Sequence, residues 1–344
     1  MGETEAKPTV SVVVPVYNLE TCVTYCVKSL AAQTYENCEF ILVDDGSSDG
    51  TPALLDELTS GDERFRVFHE MNHGPARARN FGVEVATGEL VTFVDGDDFV
   101  HSGYVEKLVA AYKGSGKGMV VGRPTMVRFE EEKSDSILEA DPSFSESHSV
   151  FDTISQKQVI EYACYENRVF PSACSCLALR DQYLNTPFPD GLAYEDVYIY
   201  CSYISEHSSL GLLNQRLYGY VMRENSVVNR KRAQVKQAHD FVTAINKFCS
   251  DARRISPDSV SAIAYFEAHH LCQLHDLCMV VEDNPAEAGK IDLEARARLR
   301  ELVPITKGDI HVSRAQQLRF DLLAWHPKIY ECAFGLYRLL KKGF

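Results

Sequence analysis

The chain has 344 residues, of which 45% are hydrophobic and 24% charged, and its formal net charge is -14. This is the composition of an ordinary globular protein with an ample core, and the acidic balance argues against non-specific nucleic-acid binding as the main activity. No apolar run approaches the roughly 18 residues that span a bilayer. The eleven cysteines are odd in number and the first residues lack an apolar core, so we expect a reduced cytosolic chain that uses cysteine as a small hydrophobe.

Strands and helices are predicted to alternate over the first 112 residues. Continuous β-branched runs that end in turn residues or acids predict buried strands, and apolar residues spaced by three and four predict helices between them. The predicted strands are residues 9–16, 39–45, 64–69 and a run from Leu90, and the predicted helices are residues 19–30, 51–58, 76–86 and 104–112. This order favours a mostly parallel sheet with right-handed crossovers.

The pattern is less regular after residue 112. Further strands are predicted over residues 119–127, 172–179 and 217–222, a helix over residues 155–165, and a polar loop or lid over residues 130–148. The rest of the chain has helical periodicity, over residues 234–249, 260–281, 291–302 and 315–340. Because a charged segment at residues 226–232 separates the two patterns, we predict two domains, residues 8–226 and 227–344.

Three carboxylates directly follow the fourth predicted strand. Asp95, Asp97 and Asp98 come after the apolar run that begins at Leu90, and open α/β sheets bind their ligands at the carboxyl ends of strands. Carboxylates this close repel one another unless a cation lies among them, and oxygen ligands suit Mg²⁺ or Mn²⁺. A solvated acidic turn explains this stretch equally well when it is taken alone.

Three other motifs suggest ligand contacts, and each has a structural alternative. Pro15 and Tyr17 end the first strand, where they offer an apolar face to a nucleobase or merely terminate a core strand. Asp45 ends the second strand, where a carboxylate can accept from a ribose hydroxyl or a base N–H, or form a local turn. Arg77 and Arg79 begin a helix, where they either recognise a diphosphate or a base or are ordinary solvated surface residues.

Together these motifs resemble glycosyltransferase family 2. The resemblance is carried by S-V-V-V-P-V-Y-N, V-D-D-G-S-S-D-G-T, N-H-G-P-A-R-A-R-N and F-V-D-G-D-D, strongly over residues 9–110 and more loosely to residue 226. It implies a GT-A fold, which is a Rossmann-like, mostly parallel sheet with helices on both faces. It also implies inverting transfer from a nucleotide-diphosphate sugar with the help of Mn²⁺ or Mg²⁺. We expect a helical C-terminal region in addition.

The resemblance also implies roles for individual residues. Pro15, Tyr17 and Asp45 would hold the base. Asp95 would contact the ribose, and Asp97 would bind the metal that bridges the diphosphate, with Asp95 as its neighbour at that metal. Arg79 would contact the base or a phosphate.

A second acidic pair, Glu195 and Asp196, follows G-L-A-Y and resembles the family's E-D pair. The resemblance implies that Asp196 is the general base and that Glu195 supports it. In a single in-line displacement the acceptor hydroxyl loses its proton as the new bond forms, so a positioned carboxylate must accept that proton. The alternative is an exposed helix start in which the dipole favours acids. Arg223 lies in a segment that resembles the family's arginine-containing segment near the diphosphate, so the resemblance implies that Arg223 binds the phosphates. Some relatives carry a metal-binding histidine near this position. This chain has Met222 there, so no histidine ligand is expected.

The resemblance therefore implies a cytoplasmic, metal-dependent glycosyltransferase of bacterial polysaccharide biosynthesis at the cell envelope. UDP is the expected nucleotide by family habit, and a glycan or lipid-linked molecule is the expected acceptor. Residues 329–342 combine aromatics, leucines and basic residues, which suggests peripheral contact with the inner face of the membrane, docking on the catalytic domain, or a homodimer.

The competing hypothesis is a non-catalytic nucleotide-sugar-binding regulator or scaffold, against which the intact Asp95, Asp97 and Asp196 argue. A dinucleotide-dependent oxidoreductase lacks support, because no G-x-G-x-x-G ends the first strand.

Overall fold

The computed structural model describes residues 8–116, 118–129, 131, 133–140, 149–222 and 232–333. The chain divides into two compact units, Met1–Ser226 and Val227–Phe344. The first is α/β and the second is helical, which confirms the predicted fold class. The exact domain boundary stays a prediction.

The described part of the first unit contains eleven strands. They are β1 (Val10–Val16), β2 (Cys38–Asp45), β3 (Phe65–Glu70), β4 (Leu90–Phe93), β5 (Phe99–Val100), β6 (Val120–Val121), β7 (Thr125–Arg128), β8 (Phe151–Ser155), β9 (Leu177–Leu179), β10 (Ser209–Leu213) and β11 (Tyr218–Met222). Eight of them form a sheet in the order β3-β2-β1-β4-β9-β6-β10-β8, and the others form a small sheet in the order β5-β11-β7. In the large sheet β9 and β8 run against their neighbours, and the other pairings are parallel.

Helices connect these strands and make up the second unit. In the described residues of the first unit they are α1 (Val23–Ala31), α2 (Thr51–Thr59), α3 (Pro75–Val85), α4 (Tyr104–Gly114), α5 (Asp135–Glu139), α6 (Gln156–Tyr165), α7 (Arg180–Asn185) and α8 (Glu195–Ser205). In those of the second unit they are α9 (Val235–Ile255), α10 (Val260–Cys278), α11 (Pro285–Thr306) and α12 (Arg314–Trp325). Across the described ranges, no helix combines the length and the apolar character that a bilayer crossing needs.

Three predicted elements are shortened or interrupted for a local reason. The strand predicted over residues 119–127 is two short strands, β6 and β7, in different sheets, because Pro124 between them has no N–H for a ladder. The strand predicted over residues 172–179 shortens to β9, since Ser175 has a left-handed φ of 61°. The helix predicted over residues 315–340 is interrupted at His326, which precedes a proline and therefore avoids the helical region.

Several elements were missed because they are only two to six residues long, which is too short to show a period. They are β5, β8, β10 and α7. The predicted lid contains α5, and its residues 130, 132 and 141–148 lie outside the described residues.

The sheet places the ends of its central strands side by side. The parallel register pairs Val16 of β1 with Asp44 of β2, and Val13 of β1 with Phe93 of β4. The chain after β4 lies against the end of β1, where the Gly96 amide donates to the Pro15 carbonyl at 3.2 Å. A Cβ on Gly96 would lie 3.1 Å from that carbonyl oxygen. The acidic loop after β4 is therefore pressed against the strand that carries Pro15 and Tyr17.

Candidate active site

Arg79 connects the two acidic motifs. One guanidinium nitrogen, Nη2, donates to Asp95 Oδ1 at 2.7 Å, and Nη1 donates to Glu195 Oε1. The arginine is 6% exposed, and its guanidinium carbon lies 5.7 Å from the centre of the Phe188 ring. Arg79 is on α3, Asp95 follows β4 and Glu195 begins α8. Three separate segments therefore meet at the buried guanidinium of Arg79.

The neighbouring arginine of the same helix has a different environment. Arg77 pairs with Glu84 on the surface, at 2.6 Å. The interpretation of the two arginines as surface residues is therefore correct for Arg77 and wrong for Arg79, which is buried.

Asp196 lies beside this cluster in the first turn of α8. Its Oδ1 accepts a hydrogen bond from the Val197 amide at 2.8 Å, and the preceding Tyr194 has a left-handed φ of 65° that turns the chain into the helix. The pKa of Asp196 is raised to about 6. Burial of the carboxyl is the largest cause and the negative charge of Glu195 adds to it, whereas the positive charge of Arg79 lowers this pKa. Such a group is ionised at neutral pH and still basic enough to accept a proton.

The three carboxylates of the D-G-D-D loop, residues 95–98, differ in how deeply they are buried. Asp98 is 1% exposed, and its two oxygens accept from the Val221 amide at 2.8 Å and the Tyr218 hydroxyl at 2.7 Å. Desolvation and the nearby carboxylates of Asp97 and Asp95 raise the pKa of Asp98. Asp98 is thus part of the core, whereas Asp95 and Asp97 are partly exposed.

Sequence reasoning missed the two tyrosines that hold this loop. The Tyr218 hydroxyl accepts from the Asp95 amide at 3.0 Å, and the Tyr25 hydroxyl donates to the Asp97 carbonyl at 2.6 Å. Tyr218 is 123 residues away from Asp95 and Tyr25 is 72 residues away from Asp97 in the chain. No local pattern signals either contact, because both depend on the tertiary fold.

The residues predicted to hold a nucleobase lie at the ends of β1 and β2. Tyr17 is 49% exposed and follows Pro15 after one residue. Both oxygens of Asp45 accept backbone hydrogen bonds, from the His73 and Gly74 amides at 2.8 Å each. This fixes the loop before α3, a role that the sequence analysis did not anticipate. A carboxylate has about four acceptor positions, so these two bonds do not fill those of Asp45, which is 5% exposed.

The side chains of Asp95 and Asp97 are suitable ligands for a divalent cation. Both supply hard oxygen ligands at the carboxyl edge of the sheet. Among the described residues there is no group of three or more histidines, cysteines or acids that could hold a metal ion. An ion here would therefore take the rest of its shell from water and diphosphate oxygens, as Mg²⁺ commonly does. The remaining predicted ligand of the donor, Arg223, lies outside the described residues.

A mostly parallel sheet with acids after β4 and an acidic pair at the start of α8 is the arrangement expected of the GT-A class of glycosyltransferases. Residues 11–179 match the sequence profile of Glycosyl transferase family 2. These residues form a domain of this family, which confirms the predicted family, the predicted fold and the predicted class of enzyme.

Similar proteins agree with this assignment. Glycosyltransferase GlyG of Streptococcus pneumoniae serotype 4 is 29% identical over 246 residues, which are 70% of this chain and 80% of GlyG. Putative glycosyltransferase EpsH of Bacillus subtilis is 43% identical over 102 residues, which are only 30% of each protein. The higher identity to EpsH therefore holds over a segment of only 102 residues.

Solved structures share the fold at low sequence identity. Residues 1–349 of S. aureus TarS, in complex with UDP-GlcNAc, match with a TM-score of 0.54 and 18% identity over 85% of this chain and 90% of that one. The mannosyltransferase PcManGT from Pyrobaculum calidifontis, in complex with GDP-Man and Mn²⁺, matches with a TM-score of 0.55 and 17% identity over 98% of this chain and 89% of that one.

Proposed function

We propose that the chain catalyses inverting transfer of a sugar from a nucleotide-diphosphate sugar, a UDP-sugar, to a glycan or lipid-linked acceptor. The observation that carries this proposal is the double ion pair of Arg79 with Asp95 and Glu195. An in-line displacement needs the donor and the base within one site. Arg79 joins the carboxylate proposed for the donor to the pair that contains the proposed base, Asp196.

The donor contacts that we propose follow from the edge of the sheet. Pro15 and the exposed ring of Tyr17 would receive the base together with Asp45, and Asp95 would contact the ribose. Asp97, with Asp95 beside it, would hold Mn²⁺ or Mg²⁺ against the diphosphate. The structural neighbours solved with UDP-GlcNAc or with GDP-Man and Mn²⁺ carry donors of this class, and the choice of UDP rests on the family resemblance.

In the proposed reaction Asp196 accepts the proton of the acceptor hydroxyl. The hydroxyl oxygen bonds to the anomeric carbon while the bond from that carbon to the diphosphate breaks on the opposite face, which inverts the configuration. A bound divalent cation would stabilise the charge that develops on the diphosphate. Glu195, paired with Arg79, keeps the first turn of α8 and therefore Asp196 in place.

The acceptor side of the proposal rests on the sequence. We propose polysaccharide biosynthesis at the cytoplasmic side of the cell envelope, with residues 329–342 as the contact to a membrane surface or to a second copy of the chain. Residues 334–344 lie outside the described part of the chain.

The first prediction concerns pH. Asp196 must be ionised to accept a proton, and its pKa is raised to about 6 from an ordinary value of 3.8. We expect kcat/KM to fall tenfold per pH unit below about pH 6 and to level off above it, because kcat/KM reports groups of the free enzyme. If kcat/KM instead fell only below about pH 3.8, the ordinary pKa of an aspartate, the result would contradict the proposal that Asp196 with its raised pKa is the base.

The second prediction tests the function through Asp97. Asp97→Ala should weaken UDP binding in the presence of Mn²⁺ by about tenfold or more, and the difference between UDP affinities with and without Mn²⁺ should disappear. Isothermal titration calorimetry of the wild type and the variant measures both effects. Asp181→Ala is the control, because it removes an exposed carboxylate near the amino ends of β1 and β4. Equal UDP affinity in the Asp97 variant and the wild type would refute the metal-binding role.

A further inference from the structure

Tyr218 connects the first and last acids of the D-G-D-D loop. Its hydroxyl accepts from the Asp95 amide at 3.0 Å and donates to Asp98 Oδ2 at 2.7 Å. The tyrosine is 0% exposed. The hydroxyl therefore ties two points of the loop to one side chain of β11.

Asp98 extends this connection to the main chain of the same strand. Its Oδ1 accepts from the Val221 amide at 2.8 Å. β11 is itself held between β5 and β7, where Gly219 pairs with Phe99 on one side and with Thr125 on the other. A Cβ on Gly219 would lie 2.3 Å from the Phe99 ring, so the strand is already packed as closely as glycine allows. The loop is thus bonded to a strand that is paired on both sides and closely packed.

The main chain of the loop is fixed at three consecutive residues. Tyr218 holds the Asp95 amide, the Pro15 carbonyl accepts from the Gly96 amide at 3.2 Å, and Tyr25 holds the Asp97 carbonyl. The side chains of Asp95 and Asp97, both partly exposed, leave this loop, and Arg79 offsets the charge of Asp95. The hydrogen bonds to the backbone fix the positions from which these two side chains start.

We propose that Tyr218 is a positioning residue for the donor site. It holds the backbone of residues 95–98 so that the side chains of Asp95 and Asp97 stay together and face the cation and the diphosphate. This inference rests on the proposed function, and it gives the small sheet of β5, β11 and β7 a part in that function. Residues that orient metal-binding groups without touching the ion commonly change metal affinity or activity by about 10- to 100-fold when they are replaced.

A buried tyrosine beside Tyr218 offers a matched control. The Tyr104 ring centre is 6.2 Å from that of Tyr218, and Tyr104 is also 0% exposed. Its hydroxyl lies 3.1 Å from Thr92 Oγ1, inside the core and not on the acidic loop. Tyr104→Phe therefore removes a buried, bonded hydroxyl just as Tyr218→Phe does, without a change in the bonds to residues 95–98.

The test compares nucleotide binding and stability in the wild type, Tyr218→Phe and Tyr104→Phe. Calorimetry is carried out with UDP, or with GDP if the wild type prefers it, with and without Mn²⁺, and thermal unfolding is measured without ligand. We expect both variants to lose stability and Tyr218→Phe alone to lose about 10- to 100-fold in Mn²⁺-dependent affinity. Wild-type affinity in Tyr218→Phe, or an equal loss in Tyr104→Phe, would overturn the inference.

Two further results are decisive. If Tyr218→Phe does not fold, Asp98→Asn tests the same connection, because an NH₂ group then replaces one of the two accepting oxygens. It should show the same loss of Mn²⁺-dependent affinity, and wild-type affinity in that variant would overturn the inference. A wild type that binds neither nucleotide with Mn²⁺ would instead refute the proposed function, and the positioning role with it.

Discussion

Asp196→Asn is expected to lower kcat by about 10²- to 10⁴-fold, which is the usual contribution of a general base. The amide has nearly the size of the carboxylate and cannot accept the proton of the acceptor hydroxyl. The ion pairs of Arg79 with Asp95 and Glu195 do not involve Asp196, so the donor side should remain intact. Nucleotide affinity measured by calorimetry should therefore match the wild type while turnover, followed as release of the nucleoside diphosphate, is lost.

Asp190→Asn is the matched control for this variant. Asp190 precedes the acidic pair on the same segment, is exposed, and accepts a hydrogen bond from the Asn80 side-chain amide at 3.3 Å. The same chemical change there should leave both kcat and nucleotide affinity unaltered. Retained turnover in Asp196→Asn would assign the base to another group, and a parallel loss of nucleotide affinity would show that the variant damages the site as a whole.

Much of the site could be predicted because its residues stand where local patterns end. Pro15 and Tyr17 close an apolar run, Asp45 closes the next, and Asp95 follows the fourth. Parallel strands of one sheet end at the same edge, so the order of the elements alone indicates that these residues come together. The register of β1 with β2 and β4 agrees with that expectation.

The separate roles of similar residues could not be predicted. Asp97 and Asp98 are adjacent and chemically identical in the sequence, yet Asp98 is buried against β11 and Asp97 is partly exposed. Arg77 and Arg79 differ in the same way, because residues two positions apart on a helix face different directions. Such differences come from segments that are distant in the chain, since Arg79 and Glu195 are 116 residues apart and Asp98 and Tyr218 are 120 apart.

Element boundaries failed where a single residue decides the backbone conformation. Pro124 divides a predicted strand into β6 and β7, and the left-handed φ of Ser175 shortens another. Proline is visible in the sequence, so this division of the strand is predictable in principle. The conformation of a serine is not, because it is set by the tertiary contacts around it.

Arg79→Met is expected to destabilise the first unit by about 3–5 kcal/mol, which is typical when one partner of a buried ion pair is removed. Methionine fills much of the same volume but leaves the Asp95 and Glu195 carboxylates without their cation. Glu195 is itself 6% exposed, so water cannot replace the lost partner well. Urea unfolding of the chain, followed by a probe in the first unit, measures the change in the free energy of unfolding.

Arg77→Met separates this effect from the loss of an arginine on α3. Arg77 pairs with Glu84 at the surface, and exposed pairs contribute about 0–1 kcal/mol. Adding Glu195→Gln to Arg79→Met should recover part of the lost stability, because one of the two uncompensated carboxylates is then neutral. If Arg77→Met and Arg79→Met destabilise equally, or if the second substitution only adds to the loss, then the buried charge of Arg79 does not hold the two acidic motifs together.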